Sequence, residues 1–153
     1  MEDIKYFIID FDSTFTKVEA LDILAEIALK GNPEKHAITN RVKEITDLGM
    51  SGELSFRNSL EERIAIIKAH KDHLPILINI LKNKISNSFK RNKEFIKKNA
   101  AQFYILSNGF KEFINPVVAE YGIDAKNVYA NDFIFDEKGW RIQRKYFRFV
   151  WNF

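Results

Sequence analysis

The feature of this 153-residue chain that most constrains its fold is a short apolar run that ends in two carboxylates. Residues Tyr6 to Ile9 are aromatic or β-branched, which predicts a strand buried on both faces of a parallel sheet. Asp10 and Asp12 follow directly. Because side chains alternate along an extended chain, both carboxylates should face one pocket while Phe11 turns into the core. Ligands of open α/β sheets bind there, outside the carboxyl ends of the strands.

The two carboxylates predict phosphoryl transfer. Like charges this close repel each other, and a hard dication removes the conflict. Mg²⁺ accepts one or two protein carboxylates and completes its shell with phosphate oxygens and water, so Asp10 and Asp12 are candidate metal ligands. We assign Asp10 as the nucleophile that attacks phosphorus, and Asp12 as the general acid/base that protonates the departing alkoxide. The alternative is that Asp-x-Asp at a strand end only forms an Asx turn that caps the next element.

A second polar segment, Ser107-Asn108-Gly109, lies between a predicted strand over 102–107 and a predicted helix over 110–121. A hydroxyl and backbone N–H groups beside a helix N-terminus favour an anion, so this segment is a candidate phosphate site. The alternative is a plain N-cap turn.

Composition limits the classes of protein to consider. With 46% hydrophobic and 29% charged residues, the chain is long enough for one globular domain. It has no cysteine, which excludes disulfides and thiolate metal sites. The first residues resemble neither a signal peptide nor a membrane span, so we expect a cytoplasmic protein without a membrane partner. Residues 141–153 include four basic and no acidic residues. One short basic patch is weak evidence for nucleic-acid binding, so we expect no nucleic-acid partner.

Hydrophobic periodicity predicts an inserted helical unit. Apolar residues recur at helical spacing from residue 17 to about 85, which predicts four amphipathic helices packed as a bundle over the strand end. After them we predict a surface helix over 89–99, a strand over 127–130 and a β-hairpin around the turn 136–139. The predicted fold is α/β, with a core formed by residues 1–16 and 86–153 and a cap formed by residues 17–85.

The motifs, in this order and spacing, resemble those of the haloacid dehalogenase (HAD) superfamily, and within it the phosphoserine phosphatases. The family's first motif, Asp-x-Asp-x-Thr, matches Asp10 to Thr14, and Ile105 to Phe110 is similar to its second motif. The segments that begin at Met50 and Ser59 are similar to its cap. The resemblance implies a HAD-like Rossmannoid sheet, here incomplete, with Mg²⁺ as cofactor. It also implies hydrolysis of O-phospho-L-serine, a small phosphomonoester of serine biosynthesis, through an aspartyl-phosphate.

The resemblance extends to residues for the amino-acid part of the substrate. Arg63 can form two parallel hydrogen bonds to a carboxylate, and Glu19 can accept a hydrogen bond from an ammonium group. In phosphoserine phosphatases the matching residues are implied to do this, with the residue matching Phe56 against the substrate. Thr14 and the Ser107, Asn108 and Gly109 segment complete the predicted binding set. The family usually has Gly where this chain has Asn108, which would crowd the phosphate. Alternatively, Glu19 and Arg63 are solvated helix residues.

Two later features of the family are not recognisable. They are a Lys that steadies the phosphate and a Gly-Asp-Gly-like loop whose acidic residue completes the Mg²⁺ site. From Arg141 the sequence no longer resembles the family, so one hypothesis is a truncated phosphatase with a half-built metal site and little turnover. The alternative function is a non-catalytic remnant or a module that binds phosphate and amino acid. We also expect the C-terminal hairpin to offer an edge for self-association.

Overall fold

The computed structural model describes residues 5–145 and contains a mixed sheet beside a group of helices. The strands follow the order β1 (Phe7–Ile9), β2 (Phe103–Phe110), β3 (Val128–Phe135) and β4 (Arg141–Lys145). The first three strands are parallel, and β4 is antiparallel to β3. The predicted α/β fold with a parallel sheet and a hairpin is thus confirmed. The predicted strand over 127–130 is the beginning of a longer strand that also forms the first arm of the hairpin.

Six α-helices lie between β1 and β2. The first four are the helices that the periodicity of residues 17–85 predicts. They are α1 (Ala20–Ala28), α2 (Lys35–Ser51), α3 (Phe56–Ile67) and α4 (His73–Asn83). Three further helices follow, namely α5 (Asn87–Arg91), α6 (Lys93–Lys98) and α7 (Lys111–Val118). No helix within residues 5–145 has both the length and the apolar character needed to cross a membrane.

The prediction of a single surface helix over 89–99 is wrong, because the helix is interrupted at Asn92, between α5 and α6. The Asn92 side-chain amide donates to the carbonyl of Ser88 at 2.8 Å. Asn side chains compete in this way for backbone groups that a continuous helix would use. The break therefore coincides with an Asn whose side chain and backbone N–H both bond to the Ser88 carbonyl.

The helical insertion leaves and re-enters the sheet at one point. Thr16 and Ile85 form an antiparallel bridge. The Ser86 hydroxyl donates to the carbonyl of Thr14 at 2.7 Å. The two connecting segments are thus tied together beside the end of β1. This pairing supports the division into a core and a cap of residues 17–85, which stays a prediction.

The core lies between the sheet and α7. The α7 side chains Phe113, Ile114, Val117 and Val118 are fully buried. They belong to the same cluster as the buried strand residues Phe103, Ile105, Val128 and Ala130. Phe110 and Phe133 stack across β2 and β3 with ring centroids 3.7 Å apart. Burial of this aromatic and aliphatic surface is the main force that holds the strands to the helix layer.

The opposite face of the sheet overturns the prediction that the first strand is buried on both faces. Ile8 is 71% exposed and Tyr6 is 61% exposed. They line a shallow apolar groove of about 450 Å³ together with Tyr104, Leu106 and Tyr129. Right-handed crossovers that step in one direction along a sheet place their helices on one face. The connections from β1 to β2 and from β2 to β3 step in this way, so they leave the second face open.

Helix α4 joins the cap helices to the core, because it contacts both α1 and α7. Leu77 of this helix is fully buried, whereas its neighbour Ile76 is 52% exposed. We expect Leu77→Ala to lower the free energy of unfolding by about 2–5 kcal/mol, through lost burial and the cavity left behind. The matched control Ile76→Ala should stay within about 0.5 kcal/mol of the unmodified chain. Urea denaturation followed by circular dichroism measures both, and equal losses would contradict this placement of α4.

Candidate active site

The chain makes a wide turn directly after β1, and this turn presents both carboxylates. The Phe15 N–H donates to the Asp10 carbonyl at 3.2 Å, which closes the turn. Phe11 and Phe15 are fully buried, while Asp10 and Asp12 line a cavity. The predicted arrangement is present, but strand alternation is not its full cause. The chain leaves the extended conformation at Ser13, whose φ of +53° lies in the left-handed region.

Asp12 is the more enclosed of the two carboxylates. Its Oδ1 accepts a hydrogen bond from the N–H of Ala20, the first residue of α1, at 2.8 Å. Burial raises the pKa of Asp12 to about 7, the Ala20 N–H partly offsets this rise, and the charges of Glu19 and Asp10 add to it. A carboxyl with this pKa exchanges its proton near neutral pH, as a general acid/base must.

Asp10 is open to the cavity. Its Oδ1 accepts a hydrogen bond from the Phe11 N–H at 2.7 Å, which orients the carboxylate. Burial raises the pKa of Asp10 above its usual value, the Phe11 N–H opposes this rise, and the charge of Glu19 adds to it. The environments of the two carboxyls therefore differ, as in sites where one carboxyl reacts and the other transfers protons.

The structure brings all of the sequence-predicted site residues to one cavity of about 300 Å³. This volume is at the lower end of the range for small-molecule sites. The predicted residues in its wall are Asp10, Asp12, Thr14, Glu19, Phe56, Arg63, Ser107, Asn108 and Gly109. Residues that the sequence prediction missed also line it, namely Ser13, Leu21, Thr46, Gly49, Met50, Ser59 and Leu60. The cavity thus lies between the end of the sheet and helices α1, α2 and α3.

Gly109 brings the backbone of β2 close to the reactive end of β1. A Cβ added at Gly109 would lie 3.3 Å from Asp12 Oδ2 and 3.2 Å from Ser107 Oγ. The Gly109 N–H donates to Ser107 Oγ at 2.9 Å. A Cβ here would push both groups aside by a few tenths of an ångström, so glycine lets the backbone of β2 approach Asp12 closely.

The Ser107–Gly109 segment is not the N-cap of the following helix. Strand β2 continues to Phe110, which is the N-cap of α7, and no side chain caps that helix. Asn131 Nδ2 donates to the Asn108 carbonyl at 2.8 Å and holds the segment in place. The Asn108 side chain is exposed and lines the cavity. The N-cap alternative is therefore wrong, and the polar atoms of this segment remain on the cavity wall.

Arg63 is buried, so it is not a solvated helix residue. It is 9% exposed, its Nε donates to the Ser59 carbonyl at 3.3 Å, and its Nη1 donates to Thr46 Oγ1 at 3.2 Å. Burial lowers the pKa of the Arg63 guanidinium, while the charges of Asp22 and nearby acids oppose the change. A buried guanidinium with unused N–H groups beside a cavity is suited to bind an anion.

The remaining wall combines one further carboxylate with apolar side chains. Glu19 Oε1 accepts a hydrogen bond from Ser13 Oγ at 2.6 Å. Phe56 is 61% exposed and Met50 is 58% exposed at the cavity. The position of Ser13 inside the Asp-x-Asp-x-Thr motif, and of Met50 at the start of a cap segment, could have indicated both residues. Thr46 had no such signal, because nothing in the sequence distinguishes it from other helical threonines.

Comparisons with known proteins show which sequences and folds this chain is similar to. No family model matches the chain. A phosphoserine phosphatase of Drosophila melanogaster is 35% identical over 130 residues, which cover 85% of this chain and 45% of that protein. One from Campylobacter jejuni is 32% identical over 123 residues, which cover 79% and 54%. The crystal structure of a phosphoserine phosphohydrolase-like protein from Francisella tularensis superposes with a TM-score of 0.81 at 31% identity, covering 92% of this chain and 64% of that one.

Over most of its length the chain is similar to phosphoserine phosphatase-like hydrolases of the HAD superfamily. It spans about half the length of the curated relatives it matches. A substrate-bound phosphoserine phosphatase shares the fold, with a TM-score of 0.76 over 95% of this chain at 21% identity. The HAD-like fold predicted from the motifs is thereby confirmed.

Asp10 and Asp12 are the residues of this site that could hold a magnesium ion. Among residues 5–145, no group of three or more acidic, histidine or cysteine side chains comes together as a metal site. Asp10 and Asp12 supply hard carboxylate oxygens on one wall of the cavity. Mg²⁺ commonly takes only one or two protein carboxylates and fills its shell with substrate phosphate and water. The residues present therefore fit that ion better than one that needs a complete set of protein ligands.

The raised pKa of Asp12 predicts a pH-dependent stability in metal-free buffer. Above about pH 4 an unfolded Asp ionises, whereas folded Asp12 keeps its proton up to about pH 7. Asp12 therefore lowers the free energy of unfolding by an amount that grows as the pH rises through this window and is complete above it. We expect Asp12→Asn to raise the free energy of unfolding relative to the unmodified chain by about 2–4 kcal/mol more at pH 8 than at pH 4.

The matched control is Asp47→Asn, an exposed position on helix α2. The same change of charge at this position should give a much smaller dependence on pH. Thermal denaturation or urea denaturation at the two pH values measures the difference. A gain for Asp12→Asn that does not vary with pH would contradict a protonated Asp12 in the folded state.

Proposed function

We propose that this chain acts as a Mg²⁺-dependent phosphomonoester hydrolase that converts O-phospho-L-serine to L-serine and phosphate through an aspartyl-phosphate. The observation that supports this most is the single cavity shared by two distinct groups of residues. The turn after β1 and the end of β2 contribute carboxylates and phosphate-binding atoms, and the cap helices contribute Arg63 and Phe56. The relatives named above are phosphoserine phosphatases, which favours this substrate class.

In the proposed reaction, the ionised carboxylate of Asp10 attacks phosphorus and the bond from phosphorus to the serine oxygen breaks. Asp12, protonated at the start, gives its proton to that oxygen as it leaves. The resulting Asp12 carboxylate then takes a proton from a water molecule, which attacks the phosphorus of the aspartyl-phosphate. Phosphate is released, Asp10 is restored and Asp12 is protonated again. A pKa of about 7 at Asp12 supports both proton transfers near neutral pH.

The same cavity accounts for the parts of the proposed substrate. Ser107 and the backbone of Gly109, which line the cavity near Asp12, would meet the phosphate. Arg63 would bind the substrate carboxylate, and Glu19 would accept from its ammonium group. Phe56 would pack against the short carbon chain. Asn108, where the family usually has Gly, would stand beside the phosphate.

Magnesium would be held by Asp10 and Asp12. When bound, such an ion neutralises charge on the phosphate oxygens and on the neighbouring carboxylates. Neither the later Lys nor the Gly-Asp-Gly-like loop is recognisable in the 153 residues. We therefore propose that this chain binds Mg²⁺ weakly and turns over slowly.

Binding without turnover is the alternative function. The observation that favours it is that no group of three or more acidic, histidine or cysteine side chains within the described residues is arranged to hold a metal. The chain would then hold phosphoserine between Arg63 and the Ser107–Gly109 segment without completing hydrolysis.

Phosphate release separates the two functions. With phosphoserine and Mg²⁺, we expect the purified chain to release phosphate slowly, with chelation of the metal stopping the reaction. Asp10→Asn should reduce the rate by about a thousandfold or more, because it removes the nucleophile. Asp47→Asn, exposed and outside the cavity, should keep the rate of the unmodified chain.

A colorimetric phosphate assay paired with calorimetric titration of phosphoserine gives the outcome. Tight binding with no phosphate release would support the binding module instead of the hydrolase. Unchanged release by Asp10→Asn would remove the proposed nucleophile.

We also propose that the β3–β4 hairpin supports self-association. Strand β4 is the last strand of the described sheet and pairs only with β3 there. An open strand edge attracts pairing with another chain. Ile134 and Trp140 of the hairpin are 37% and 48% exposed. The cytoplasmic location and the lack of a nucleic-acid partner stay predictions, and the tail beyond residue 145 lies outside the described residues.

Sedimentation velocity tests the hairpin interface. We expect a dimer that increases with protein concentration, and Ile134→Lys should shift it toward monomer because a charge must then be buried. Ile76→Lys places the same charge on an exposed site of α4 and should leave the distribution unchanged. A monomer at every concentration would contradict the proposal.

A further inference from the structure

We propose that Asp22 and Thr46 position the Arg63 guanidinium and thereby set the preference of the cavity for phosphomonoesters that carry a carboxylate. The three residues come from three different helices, Asp22 from α1, Thr46 from α2 and Arg63 from α3. Thr46 Oγ1 lies 3.2 Å from Arg63 Nη1 and 3.2 Å from Asp22 Oδ1. We call this set the Asp22–Thr46–Arg63 relay.

The direction of each hydrogen bond in the relay follows from the chemistry of the groups. A guanidinium has only donors, so Arg63 Nη1 donates and the Thr46 oxygen accepts. The single hydroxyl proton of Thr46 is then available to Asp22 Oδ1, and the Val42 carbonyl at 3.0 Å is its other acceptor. A carboxylate accepts only. The relay therefore places a negative group one hydroxyl away from the buried guanidinium.

The relay orients Arg63 but does not use all of the N–H groups of its guanidinium. Arg63 Nε is bound to the Ser59 carbonyl and Nη1 to Thr46. Within residues 5–145, no ion pair joins Asp22 directly to Arg63, and Nη2 makes no hydrogen bond to protein. Arg63 lines the cavity, so the remaining N–H groups are available to a ligand carboxylate. These two hydrogen bonds orient the planar guanidinium. The Arg63 side chain therefore loses less conformational entropy when a ligand binds.

The burial of the relay separates it from an ordinary surface contact. Thr46 is 6% exposed and Arg63 is 9% exposed. Hydrogen bonds to a charged group in such surroundings are stronger than those at a surface. A buried polar group that loses its hydrogen-bond partner destabilises the fold. Thr46→Val keeps the shape but removes the hydroxyl, so it frees Arg63 and disconnects Asp22 in one change.

The inference rests on the proposed function, because it assumes that the substrate carboxylate meets Arg63. A purely structural role is the competing account, since the same bonds also hold α1, α2 and α3 together. Thr39 provides the matched control. It is 5% exposed on the same helix α2, and among the described residues its hydroxyl bonds only to the carbonyls of Lys35 and His36 in that helix.

The experiment compares dissociation constants for phosphoserine and for O-phosphoethanolamine, which lacks the carboxylate, by calorimetric titration of the full chain. We expect the unmodified chain to prefer phosphoserine. Thr46→Val and Asp22→Asn should each reduce that preference about tenfold, the cost of a lost hydrogen bond to a charged group. Thr46→Ser, which restores the hydroxyl, and Thr39→Val should both retain the preference.

The outcomes separate the relay from the proposed function. If the unmodified chain prefers phosphoserine and Thr46→Val keeps that preference, the relay is overturned while the proposed function stands. Equal weakening of both ligands by Thr46→Val, with a lower melting temperature, would assign Thr46 a structural role and would also overturn the relay. If the unmodified chain shows no preference for phosphoserine, the proposed substrate fails and the relay fails with it.

Discussion

The burial of Phe11 and Phe15 is the interaction on which the site depends. Both rings are fully buried beside β1 and stack on each other, with ring centroids 6.0 Å apart. Large aromatic side chains dominate the energy of such a core. Because these rings point inward, Asp10 and Asp12 must point toward the cavity. Hydrophobic packing thus sets the side of the turn on which the two carboxylates lie, and the N–H groups of Phe11 and Ala20 then orient them.

The cap is coupled to this turn through the backbone of α1. The Ala20 N–H, at the first residue of that helix, binds Asp12 directly, and Glu19 precedes it. The insertion therefore does more than cover the end of the sheet, because its first helix completes the environment of a carboxylate in the core. Under the proposed function, the core supplies the reacting groups and the cap supplies the groups that select the ligand, with α1 shared between them.

Several features of the site oppose stability. Asp12 is enclosed so that its pKa rises to about 7, and Arg63 is buried with N–H groups that make no hydrogen bond within residues 5–145. Groups of this kind destabilise a folded chain, and they persist where function needs them. The surrounding core, with its stacked Phe110 and Phe133, offsets that cost. The open apolar face beside Tyr6 and Ile8 is a separate feature, set by the strand order rather than by the site.

The sequence determined the elements and most of the site, because local rules suffice for them. Apolar spacing marked the four cap helices, and an apolar run ending in Asp10 and Asp12 marked the first strand. The order of motifs also led to the residues that share the cavity. Only the tertiary structure decided that Ile8 is exposed, that Arg63 is buried, and that Thr46 touches it. These facts depend on which surfaces meet across different helices and strands, and periodicity along one segment does not contain that information.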